Sequence, residues 1–100
     1  MGDTILARKL KAFKELTSNS HSVEDVMGSL ISDGALDKDV AHHVSVSYDP
    51  AETLFKFIEM AHNSGKIQLI TYNWQLLPTK TICITVVSPH KKREFSFEEM

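Results

Sequence analysis

No run of about 18 apolar residues occurs in the sequence, so no membrane-crossing helix is expected from it. The N-terminus, with Arg8 and Lys9 close behind its first apolar residues, lacks the order of a secretory signal, and the expected location is the cytoplasm. The one cysteine, Cys83, has no partner for an internal disulfide and lies inside an apolar run. It is expected to be a small buried hydrophobe and not a reactive thiol, which would want an exposed, electropositive setting. Gly2, Gly28, Gly34 and Gly65 are scattered, so there is no glycine-rich phosphate loop. No internal repeat, low-complexity segment or long linker divides residues 1–100, which are read as a single domain.

A large charge of either sign is also missing. The net charge is −2 with the five histidines neutral, so there is no overall electrostatic drive toward nucleic acid. Hydrophobic residues at 42% against 24% charged argue for an ordinary folded domain and against disorder.

What is present is organised around Asp49 to Ser88. Asp49, Pro50 and Glu52 supply an N-cap carboxylate, a proline at the first helical position and the glutamate of a capping box. Ala51, Leu54, Phe55, Ile58 and Ala61 then recur at helical spacing, and Asn63-Ser64-Gly65 is a stop signal. Two strands are expected next, at Lys66 to Asn73 and at Thr81 to Ser88, where Ile82, Ile84 and Val86 alternate with Thr81, Cys83, Thr85 and Val87. Trp74 to Lys80 is read as an open, unusually apolar loop carrying Trp74, Leu76, Leu77 and Pro78. It either folds over the core or forms an exposed patch that meets a partner.

Before this stretch, Asp3 or Thr4 is expected to cap a helix that runs to about Leu16, with Leu6, Leu10, Phe13 and Leu16 as its apolar stripe. Thr17 to His21 is a polar breaker. Ser22 caps a second helix, with Val23, Val26, Met27, Leu30 and Ile31 on one face, closed by Asp33-Gly34. Gly28 inside that helix predicts a close-packed neighbour. Residues 35–48 are ambiguous. They are read as a short helix from about Leu36 to His42 and a strand from His43 to Tyr48, where Val44, Val46 and Tyr48 alternate with Ser45 and Ser47. After a basic turn at Pro89 to Arg93, Phe95 and Phe97 mark a short edge strand. The fold class expected is α+β: two N-terminal helices plus a central capped helix packed on one face of a small, mainly antiparallel three- or four-stranded sheet.

Chemistry is sparse. His21, His42, His43, His62 and His90 make no C-x-x-C, H-x-x-x-H or H-E-x-x-H spacing, so no metal site and no cofactor is expected. His43-Val44-Ser45-Val46 has the form of half a two-histidine phosphoesterase signature, but no second half exists and the match is read as chance. The carboxylate pairs Asp37 with Asp39 and Glu98 with Glu99 fall in segments expected to be exposed, and no catalytic residue is assigned.

Two functions remain. The first is a small non-enzymatic regulatory protein acting by protein–protein binding, of the inhibitor or adaptor type that phages and mobile elements also carry. Its binding residues would be Trp74, Leu76, Leu77, Phe95 and Phe97, with a homodimer through a sheet edge as one form. The second is a winged-helix-like nucleic-acid binder using Arg8, Lys11 and Lys14 of the first helix with Lys91, Lys92 and Arg93 of the turn. It requires those two basic clusters to meet in space.

Overall fold

The computed structural model describes residues 2–19, 21–76 and 78–99, with side chains from residue 5 onward. Four helices come first: α1 (Gly2–Asn19), α2 (Val23–Ser32), α3 (Val40–Ser45) and α4 (Pro50–Asn63). Three strands follow, β1 (Leu69–Gln75), β2 (Lys80–Val87) and β3 (Lys92–Glu99). They pair antiparallel in the order β1-β2-β3, so the expected α+β fold is present with three strands and with its helices packed against the sheet.

The local signals at α2 and α4 act as read. Ser22 Oγ accepts a hydrogen bond from the Asp25 amide, and an Asp49 carboxylate oxygen accepts one from the Glu52 amide. Leu54, Phe55, Ile58 and Ala61 of α4 are buried together with Val26 and Leu30 of α2. They join Phe13 and Leu16 of α1 and the inward row Ile82, Ile84 and Val86 of β2 in one core. Gly65 closes α4 with φ +88°, a left-handed conformation that a side chain rarely adopts.

Elsewhere the structure departs from the sequence reading. Helix α1 already runs from Gly2, so Asp3 and Thr4 lie inside its first turn and are not its cap. It also continues past Leu16. The Thr17, Ser18 and Asn19 side chains donate back to the carbonyls of Phe13, Lys14 and Glu15 and extend the helix where a break was expected. Ser20, within that expected breaker, lies outside the described residues. The apolar stripe fades at Leu6, which is exposed. Gly28 has no close neighbour: a methyl group there would meet nothing within 4 Å.

The strand expected from His43 to Tyr48 is absent. Val40 and Val44, four residues apart, are buried on the inner side of α3, while Val46 and Tyr48 point to solvent. The helical period therefore wins over the two-residue alternation. Strand β1 begins at Leu69 and not at Lys66, because the Lys66 and Ile67 amides are used by the Ala61 carbonyl at the end of α4. At its other end Trp74 pairs with Ile82 and Gln75 with Thr81, so these two residues belong to the strand and the connection shrinks to residues 76–79. Cys83 falls on the sheet face opposite the core row and is only half-buried, which corrects the buried-hydrophobe reading.

Candidate functional site

The surface with the least local explanation is the free edge of the sheet. Strand β1, Leu-Ile-Thr-Tyr-Asn-Trp-Gln, has among the described residues a strand neighbour on one side only, and it carries no charged residue. Among the described residues, Leu69 to Trp74 make no backbone hydrogen bond to a segment on the outer side. The opposite edge is built otherwise. Strand β3 carries Lys92, Arg93, Glu94, Glu98 and Glu99, and charges of this kind guard an edge against pairing.

Alternation points Ile70, Tyr72 and Trp74 toward the helical side, opposite Val86, Ile84 and Ile82. The Tyr72 ring lies 6.4 Å from that of Phe55, its hydroxyl donates to Glu59 Oε1 at 3.1 Å, and the Lys9 ammonium sits 5.5 Å from its centroid. Burial, then the Glu59 carboxylate, push the phenol pKa far up, so this hydroxyl stays protonated. Trp74 is 39% exposed and lies between two ammonium groups, Lys11 at 5.9 Å and Lys80 at 5.8 Å. Lys80 is anchored in turn by Glu15 at 3.0 Å. Leu76, just beyond the strand, is 66% exposed. A shallow apolar groove lined by Leu6, Phe55 and Met60 lies beside Glu59 and so beside Tyr72. The large exposed apolar groups of the edge itself are Leu69 and Trp74, with Leu76 just beyond the strand.

The residues expected to bind a partner therefore separate. Trp74 and Leu76 are brought together on this edge, while Leu77 lies outside the described residues. Phe95 is buried at 5% exposure, its ring edge-to-face with His21, and Phe97 is half-buried against the core. Both phenylalanines sit on the inward side of β3, opposite Ile84 and Ile82, and not on its outward face. Sequence reasoning passed over Tyr72, Lys9 and Lys80. The signal that would have found the edge is the contrast between an uncharged β1 and a heavily charged β3.

The basic residues of the alternative reading also separate. Arg8 and Lys11 are exposed on α1. The Lys14 ammonium bonds Asp49 at 2.7 Å; that bond raises the lysine pKa and is the largest cause holding the Asp49 carboxyl below its usual value. Lys91 and Lys92 are exposed at the β2–β3 turn, with Lys92 3.8 Å from Glu94. Arg93 donates to both carboxylate oxygens of Asp33, at 2.9 and 2.7 Å. Arg93 pairs with Val86, four residues along β2 from the Ile82 that faces Trp74 and hence Lys11. That is about 13 Å of strand, and the two clusters do not merge.

Among the described residues no three His, Cys, Asp or Glu side chains are grouped so as to hold a metal ion, and no helix is long and apolar enough to cross a membrane. In comparisons with known protein families, with curated proteins and with solved structures, the chain matches none.

Proposed function

We propose that the protein is a non-enzymatic regulatory module of the inhibitor or adaptor type, working in the cytoplasm by binding another protein through the β1 edge. The observation that carries this reading is an uncharged seven-residue edge strand flanked by exposed Trp74 and Leu76. Such an edge supplies main-chain donors and acceptors to an added strand, and the large apolar groups beside it supply contact area. Self-association through a sheet edge is one form of the same activity.

Binding of nucleic acid has less support. Lys14 and Arg93 are held in ion pairs, and the two basic clusters lie apart. The test is capture of partners from the native host by the full chain and by the separate variants Trp74→Ala and Leu76→Asp. Expected is at least one protein held by the wild type and lost from both variants while their thermal unfolding stays cooperative. Well-folded variants that hold the same proteins as the wild type would show the reading to be wrong. Retention on heparin at low salt, falling steeply as salt rises, would instead favour nucleic acid.

A further inference from the structure

Resting on the reading of β1 as a docking edge, we infer that its occupant is β1 of a second copy of this chain, paired antiparallel about a two-fold axis at Tyr72. A two-fold axis normal to the sheet keeps the helices of both copies on one side, so inward residues must meet inward residues. Centring the axis on Tyr72 satisfies this. Ile70 comes opposite Trp74 of the second copy and Thr71 opposite its Asn73, and the two sheets join into one of six strands.

Three observations favour a second copy over an unrelated strand. No charged side chain lies on β1, so no like charges are forced together along the new ladder. The groups nearest the axis are also balanced: each copy brings the Lys9 ammonium above the Tyr72 ring and the Glu59 carboxylate on the Tyr72 hydroxyl, one charge of each sign. Finally, Ile70 and Trp74 lie on the helical side two residues before and two residues after Tyr72, so the two-fold operation sets each against the other in the second copy, whereas a partner strand would have to bring its own match.

The test is sedimentation equilibrium on the full chain up to about 100 µM. Expected is a concentration-dependent species of twice the chain mass. Thr71 and Asn73 are exposed, so Thr71→Lys with Asn73→Lys leaves the core intact and puts lysines directly opposite each other at both pairs. This should raise the dissociation constant by about 10- to 100-fold. Thr71→Lys with Asn73→Glu puts opposite charges at the same pairs and should restore the dimer. A wild type that stays monomeric overturns the inference. So does a dimer that survives the double lysine change, or one that the Lys/Glu combination fails to restore with an unchanged circular dichroism melt. The protein-binding reading is judged separately: it falls as well only if well-folded Trp74→Ala and Leu76→Asp capture the same host proteins as the wild type.

Discussion

The Asp33 carboxylate, just past the end of α2, accepts two hydrogen bonds from Arg93 and so ties the second helix to the inward side of β3. The Asp33 side chain is almost fully buried while Arg93 keeps some contact with water, so the attraction is only partly screened. The Arg93 guanidinium is the main reason the Asp33 carboxyl lies below its ordinary value of 3.8. A carboxylate whose pKa is depressed on folding stabilises the fold above its unfolded value, and that contribution disappears as pH falls through the folded value. Asp33→Asn is therefore expected to lower the melting temperature at neutral pH by about 5 °C. The deficit should shrink as the pH of the melt is taken down through and below 3.8. A melting series from neutral pH into acid checks both parts, and a deficit that does not vary with pH would sink the account. From sequence Asp33 is legible only as a helix stop. Its partner is 60 residues away, and no local spacing announces that.

Helix α2 offers a cleaner case, because its packing and its intrinsic propensity pull apart. Val26 and Leu30 hold it to the core, but Gly28 faces solvent with open space where a side chain would go. Glycine there carries the entropic cost without the close approach that would justify it. Gly28→Ala should stabilise the domain by about 0.5–1 kcal/mol, readable as a higher urea midpoint at unchanged slope. Gly65→Ala should do the reverse, since Gly65 sits at φ +88°. No change at Gly28, or a loss, would mean that something does pack on that turn. Elements of this kind were legible where several local signals agreed, as at α4 with its cap, proline, apolar face and closing glycine. They were misread where one pattern fitted two periods. Residues 43–48 alternate like a strand, yet only Val44 has a core to face, and it is placed by the helical step from Val40. The strand limits at Lys66 and Trp74 failed for a different reason. They depend on which amides the end of α4 uses and on the register against β2, and both are set by tertiary structure.

At the scale of the whole molecule, the three helices α1, α2 and α4 and one face of the sheet satisfy each other, and what is left over is an edge. Trp74 and Leu76 were legible as large apolar groups, but the sequence left open whether they fold over the core or, as in the structure, stand exposed. That Phe95 and Phe97 turn inward was not legible, because a strand of alternating phenylalanine and charge does not say which row faces the helices until β2 fixes it. Trp74 is the only tryptophan in the chain and sits at the rim of the edge strand, partly in water between Lys11 and Lys80. Its fluorescence therefore reports on the proposed interface with no background from the core. Covering the β1 edge removes water from the indole ring, so emission should shift to shorter wavelength as the protein is concentrated or as a captured partner is added. Iodide should also quench it less in the associated form. The double change Thr71→Lys with Asn73→Lys lies on the other face of β1 from Trp74, so it should abolish the concentration-dependent shift while leaving the spectrum of the dilute protein unaltered. An emission maximum that stays fixed while the mass doubles would put the contact somewhere other than β1, for the indole cannot remain equally wet beside a newly paired strand.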